Sequence, residues 1–202
     1  GAQGATPWES KDAIMVASQI MSGLQTIISR QTDLTKAPAV ITIGSFHSGN
    51  RGNIIPEVAE MQGTIRTFDL AMRKTLLEKV KLTAEKIAES SGLTAIVEIG
   101  EGSPVTYNDP KLTAMMAPSL QRTVGISNAV VVAPTTLSED FSVFQEKVSG
   151  LFFFLGAYPA EMKLNNPPVH HTADFMMDEK SFVTGVKAML NLTVDYMYAV
   201  KK

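Results

Sequence analysis

The order of hydrophobic patterns along this chain predicts a mixed α/β and α+β protein. A ferredoxin-like α-β-β-α-β unit, lacking the first strand of that arrangement, is expected over residues 1–100, and part of an α/β domain over residues 101–202. Three observations carry this. Two stripes of apolar residues at helical spacing flank an extended stretch that is split by a turn. Beyond Gly100–Pro110, which is dense in turn residues, the apolar residues come in short unbroken runs, the pattern of strands covered on both faces in a parallel sheet. A chain of 202 residues that is 45% hydrophobic and 19% charged is globular in composition and long enough for one large domain or two small ones.

From Lys11 to Arg30, the residues Ile14, Ala17, Met21, Leu24 and Ile28 recur at spacings of three and four, which puts them on one helix face, with Ser10 as the expected N-cap. Ala39–Phe46 is β-branched and apolar, Ser48–Asn53 is turn chemistry, and Ile54–Phe68 resumes an extended pattern, so a β-hairpin with a long loop is predicted. A second helix is expected from about Asp69, with Met72, Leu76, Val80, Ala84 and Ile87 as its stripe and Gly92 ending it. Thr94–Ile99 alternates as a half-buried strand. A complete ferredoxin-like unit needs one more strand ahead of the Lys11 helix, so the chain is expected to begin just after it.

In the second half, a helix is predicted over Pro110–Val124, a short buried strand at Ala129–Ala133, a helix after Ser138, an apolar strand at Leu151–Leu155, and a final helix over Asp178–Val200. The final helix places Phe182, Val186, Met189, Leu190, Thr193 and Met197 on one side. These strands are too few for a complete sheet.

Composition removes several function classes. A net charge of −2 with Lys and Glu evenly mixed argues against a nucleic-acid surface, which needs a clustered basic face. The absence of cysteine excludes disulfides, thiolate-bound zinc and thiol nucleophiles, and leaves the compartment open, with the cytoplasm favoured over the periplasm. No run of about 18 apolar residues exists, so a soluble chain is expected, with no contact to membrane. The partners expected are a small molecule and a second copy of the chain.

Few residues are placed to do chemistry. The three histidines are His47, His170 and His171. His170-His171 reads by itself as a solvated loop pair, yet it follows Pro167-Pro168 in the α/β half, where strand-end loops build sites. Ser138-Glu139-Asp140-Phe141 offers a carboxylate, while its structural reading is a helix start whose acids suit the N-terminal dipole. Asn53 reads as a turn residue and Arg66 as a residue on an exposed strand face; a functional pair of amide donor and guanidinium would clamp a carboxylate. Phosphate-loop, nucleophile-elbow and dinucleotide signatures are missing.

Taken together in order, Gly4-Ala5-Thr6-Pro7-Trp8, Asn53-Ile54-Ile55-Pro56, Gly63-Thr64-Ile65-Arg66-Thr67-Phe68-Asp69, Ser138-Glu139-Asp140-Phe141, Phe153-Phe154-Leu155-Gly156 and His171-Thr172-Ala173-Asp174-Phe175 with Asp178-Glu179 resemble one family. It is that of the metal-dependent amidohydrolases and exopeptidases, which includes aminoacylases, hippurate hydrolase, auxin-conjugate hydrolases and the folate-cleaving carboxypeptidase. The resemblance implies a lid and dimerisation domain at 1–100 and the C-terminal part of a zinc-exopeptidase-like catalytic α/β domain at 101–202. It implies His171 as a metal ligand, Arg66 as the group holding a substrate carboxylate, Asn53 as a hydrogen-bond donor to substrate, and Glu139 as a residue near the site without an assigned role.

Two departures follow from the same resemblance. The family places a histidine directly before the segment matching Gly4-Ala5-Thr6-Pro7, where it stabilises the oxyanion in the partner's site; here Gln3 stands there, either as a substitute amide donor or as a junction residue. Loss of an oxyanion donor costs about 3 kcal/mol of transition-state stabilisation. The family's other metal ligands and its general-base glutamate lie upstream of the matched segments, so the zinc, manganese or cobalt of the complete enzyme is not expected to bind tightly to this chain, and the chain alone is expected to be inactive. The implied function is therefore part of a homodimeric amidohydrolase acting on N-acyl amino acids or related small amides. The alternative is a non-catalytic dimerisation or interaction module derived from that family.

Overall fold

Peptide groups in a strand need a second strand to bond with, and the longest such pairing in this chain joins Ala39–Ser48 to Ala59–Thr67. The computed structural model describes residues 1–159, 161–162 and 167–201. Its described residues form two compact units, Gly1–Val105 with Thr135–Ser138, and Thr106–Pro134 with Glu139–Lys202.

In the first unit the order is β1 (Ala2–Gln3), α1 (Ala13–Gln31), β2 (Ala39–Ser48), β3 (Ile54–Ile55), β4 (Ala59–Thr67) and α2 (Leu70–Ser90). Helix α1 starts later than expected, because its N-cap is Asp12 rather than Ser10: the Asp12 carboxylate accepts from the Ile14 and Met15 amides, both at 3.0 Å. Its buried face is also turned from the predicted one, to Ala13, Val16, Ala17, Ile20, Leu24 and Ile27, leaving Ile14 exposed. The apolar band of α1 is broad, so spacing alone does not choose its centre; contact with α2 does. A Cβ on Gly23 would stand 2.7 Å from Ile87 Cδ1 and 3.3 Å from Thr83 Cγ2, so glycine permits the close approach of the two helices. Asp69 caps α2 through Met72 N, and Gly92, at φ 69°, ends the helix as expected.

The extended stretch from Ile54 does not return as one strand. Pro56, which has no amide hydrogen, separates β3 from β4; β3 pairs with β1, and β4 alone pairs with β2. The β2–β4 ladder shifts register between Ile43 and Ser45, and there a Cβ on Gly63 would collide with the Thr42 carbonyl oxygen. On its inner face the hairpin packs Ala39, Ile41, Ile43, Met61 and Ile65 against Ile20, Leu24, Ile27, Leu76 and Ala84 of the helices.

Thr94–Ile99, expected as a strand, has no ladder among the described residues. Its alternation is nonetheless physical: Leu93, Ala95 and Val97 pack on the core while Thr94, Ile96 and Glu98 are exposed. Period-two burial thus exists without a hydrogen-bonded neighbour.

In the second unit, α3 (Pro110–Val124), α4 (Phe141–Gln145) and α5 (Lys180–Ala199) form. Asp109 caps α3 by accepting from Leu112 N at 2.8 Å, which holds its carboxyl below the usual carboxylate range. Helices α3 and α5 are joined by polar contacts: Ser119 and Arg122 both donate to the Asp195 carboxylate, and Asn191 donates to Thr123 Oγ1 at 2.8 Å. The Ser119 hydroxyl first, and Arg122 second, hold the Asp195 carboxyl below its ordinary value. Ala129–Ala133 and Leu151–Leu155 carry no ladder among the described residues, and Val130, Val131 and Val132 are exposed rather than covered on both faces. The predicted apolar side of α5 is exposed too, with Ala188 the buried residue of that helix. Asn108 substitutes locally for a neighbouring strand, donating to the Phe152 carbonyl and accepting from the Phe152 amide, both at 2.7 Å. Among the described residues no helix is long and apolar enough to cross a membrane.

Gly63→Ala is expected to cost about 2 kcal/mol in denaturant unfolding of the chain, because the Thr42 carbonyl cannot move without breaking the ladder. Gly44→Ala, where a Cβ meets nothing within 4 Å, should stay within about 0.5 kcal/mol of the parent. Acid titration gives a second check. A carboxyl depressed in the folded state contributes stability that is fully present above its unfolded value and is lost as pH falls through the folded value. The unfolding midpoint should therefore fall on acidification below the ordinary carboxylate range, and fall less steeply in Asp195→Asn.

Candidate functional site

In the first unit, β1 pairing with β3 sets Gln3 opposite Ile54, and the Gly4 amide donates to the Asn53 carbonyl at 2.8 Å. Gln3 and Asn53 are thereby neighbours, a proximity that sequence separation hides. The Gln3 side-chain oxygen accepts from the Ala5 amide at 2.8 Å, and its carbonyl accepts from the Thr6 amide at 2.9 Å. With the oxygen engaged, the end of Gln3 left to act is its NH2, a donor.

Arg66 sits on β4 opposite Val40, half-buried, while Ala39 and Ile41 beside Val40 are buried against the helices. Strand alternation then places Arg66 on the face away from α1 and α2, in the company of Thr64, Thr42, His47 and Glu60. Asn53 lies in the loop that closes the Ser48–Ala59 end of this ladder, and Arg66 lies near its other end. From Ala59 to Arg66 the strand advances about 20 Å, so the hairpin does not bring the amide and the guanidinium together.

In the second unit, Glu139 acts as the structural reading of its motif expects. Its Oε1 accepts from the Phe141 amide at 3.4 Å, and its carbonyl accepts from the Ser142 hydroxyl at 2.6 Å, at the start of α4. Asp178 has a similar role for α5, its carboxylate accepting from Lys180 N at 3.0 Å while its own amide donates to the Ala157 carbonyl at 2.7 Å.

His171 is exposed and stands in a turn in which Thr172 Oγ1 donates to the Val169 carbonyl at 2.8 Å and the Phe175 amide donates to the Thr172 carbonyl at 3.2 Å. Its φ of 67° makes it the non-glycine residue with a left-handed backbone among the described residues, a conformation that costs about 1–2 kcal/mol outside glycine. Beside it, His170 meets the Phe175 ring edge-to-face, with centroids 4.7 Å apart and planes at 76°. Such a pair contributes about 0.5–1.5 kcal/mol, the same size as the backbone cost. The sequence reads the two histidines as a loop pair; Phe175, five residues on from His170, is the signal for the ring contact.

The exposed His171 imidazole is a donor of the kind a divalent ion accepts. Among the described residues no group of three or more His, Asp or Glu side chains converges on a point. The described residues fit one ligand position and do not by themselves make a metal centre. Two shallow concavities, one along Leu70, Arg73, Leu77 and Ile99 and one along Tyr107, Asp109, Gln145 and Gly150, are lined by none of the predicted site residues.

Residues 6–195 match the sequence profile of peptidase family M20/M25/M40. The chain belongs to this family. The M20 chain is 34% identical over 197 residues to thermostable carboxypeptidase 2 of Saccharolobus solfataricus, covering 97% of the chain and 49% of that protein. To the N-acetyl-L-cysteine deacetylase of Bacillus subtilis it is 31% identical over 183 residues, covering 91% of the chain and 42% of the relative. Among solved structures it is similar to the YXEP protein of Bacillus subtilis, described as a dinuclear metal binding peptidase from M20 family, with a TM-score of 0.67 at 28% identity over 98% of the chain and 48% of that protein. The chain spans about half the length of the curated relatives it matches. The mixed α/β fold with small sheets is thus that of M20 structures.

Proposed function

We propose that this chain serves a metal-dependent amidohydrolase that cleaves the amide bond of N-acyl amino acids or related small amides. The observation that carries the reading is the family match over residues 6–195, together with relatives named as a carboxypeptidase and an N-acetyl amino acid deacetylase. Both of those names describe cleavage of an amide bond attached to an amino acid.

In this reading residues 1–100 are a ferredoxin-like lid that also joins two copies of the chain, and residues 101–202 belong to the catalytic α/β domain. Arg66, which has no ion-pair partner among the described residues, holds the substrate carboxylate with its planar fork. Asn53 donates a hydrogen bond to substrate. Gln3, whose amide oxygen is already occupied, donates through its NH2 to oxygen that gains negative charge. His171 supplies one donor to a divalent metal, zinc, manganese or cobalt, completed by groups beyond the described residues. Glu139 shapes the start of α4 near the site. Turnover by this chain alone is not expected.

The test is hydrolysis of N-acetyl and N-benzoyl amino acids, with each metal added and with a chelator control, by the chain alone and by the chain joined to the part of a family relative that it does not match. Chelator-sensitive turnover by the joined protein, run beside the unaltered relative, is expected. If the joined protein folds and binds metal yet leaves every amide intact, the amidohydrolase reading is wrong. In the active protein Arg66→Ala should raise KM at least about tenfold, or about 1.4 kcal/mol, for substrates with a free carboxylate and leave carboxamide analogues unchanged. His171→Ala should remove both turnover and part of the bound metal. Sedimentation of the chain should show a dimer.

A further inference from the structure

We infer that His170 is a positioning residue: its edge-to-face contact with Phe175 holds His171 in the left-handed backbone conformation that presents the His171 imidazole to solvent. The importance of His171 rests on the function proposed above; the latch itself rests on geometry.

A left-handed conformation is rare outside glycine, and where it persists the surroundings must over-determine it. At His171 the surroundings are few. The Thr172 hydroxyl bond to the Val169 carbonyl spans His171, and the Phe175 amide bond to the Thr172 carbonyl closes the turn that follows it. Both bonds are compatible with more than one backbone setting in an exposed segment, since water can replace either. The His170–Phe175 contact differs. It ties the side chain immediately before His171 to a ring four residues after it, at 4.7 Å and 76°, a preferred edge-to-face arrangement. Holding the Cα of residue 170 and the Cα of residue 175 in this relation limits the rotations open to residue 171 between them. His171 itself has no hydrogen-bond partner for its ring among the described residues, so nothing else in the turn orients it. The adjacent histidines therefore have different tasks: His170 spends its ring on Phe175, and His171 keeps its ring free.

The test is made on the intact chain by nuclear magnetic resonance. A strong amide-to-α-proton Overhauser effect within residue 171, with the one-bond Cα–Hα coupling, separates positive from negative φ. Wild type and His170→Phe, which preserves an aromatic ring against Phe175, are expected to show the positive-φ signature. His170→Ala and His170→Gln are expected to lose it, with unchanged resonances from α3 and α5 showing that the unit remains folded. Retention of the signature in His170→Gln, or its loss in His170→Phe, would overturn the latch. Adding cobalt chloride to wild type separates the latch from the functional reading. Broadening of the His171 ring signals before those of His170, lessened in His170→Ala, is the expected outcome. Equal broadening of both rings in wild type, with the His171 ring of His170→Ala broadening as it does in wild type, would show that the latch does not divide the two histidines. A wild-type His171 ring that never responds to cobalt, with the φ signature obeying the substitutions, would sink the ligand assignment while leaving the latch in place.

Discussion

Backbone hydrogen bonding of extended segments decides more of this structure than any side chain does. Peptide groups in a strand are most fully satisfied by another strand, and β2 and β4 meet that need for each other over nine paired positions from Ala39↔Thr67 to Ser48↔Ala59. That ladder fixes which residues face α1 and α2, and with them the core of Ile27, Leu76 and their neighbours. It sets Arg66 on the opposite face and at a distance from Asn53. Extended segments without such a neighbour among the described residues differ from one another: Leu93, Ala95 and Val97 still pack on the core, while Val130, Val131 and Val132 lie exposed although their composition suits a covered strand.

The two units settle their helices by different means. In the first, α1 and α2 approach through apolar contact, and the missing Cβ of Gly23 leaves the space that the end of the Ile87 side chain fills. In the second, α3 and α5 are joined through Ser119, Arg122 and Asn191 acting on Asp195 and Thr123. The first kind of contact is felt by volume changes and the second by acidity. Both leave the candidate site residues on turns, strand faces and helix starts, where groups are held by backbone bonds rather than by burial.

The candidate residues accordingly divide by what surrounds them. Glu139 and Asp178 spend their carboxylates on helix amides, which is ordinary structural work. Gln3 spends its oxygen and keeps its NH2. His171 makes no ring hydrogen bond among the described residues and has a left-handed backbone, at φ 67°. The chain belongs to peptidase family M20/M25/M40 and spans about half the length of the curated relatives it matches, and among its described residues no three or more His, Asp or Glu side chains converge.

By itself, the sequence determined the positions of α1, α2, α3 and α5, the end of α2 at Gly92, the hairpin partners, and the ordered motifs that mark the family, because spacing, caps and turn residues act over a few neighbouring positions. It also held the alternation of Leu93, Ala95 and Val97. Only the tertiary structure decided that Asp12 rather than Ser10 caps α1, that α1 buries Val16 and Ile20 rather than Ile14, and that Pro56 divides the returning strand. The same holds for Gln3 lying beside Asn53, and for the ring of His170 meeting that of Phe175. Each of those outcomes depends on which partner a group meets in space, and periodicity records which face of a segment is apolar, not what that face or its backbone will find.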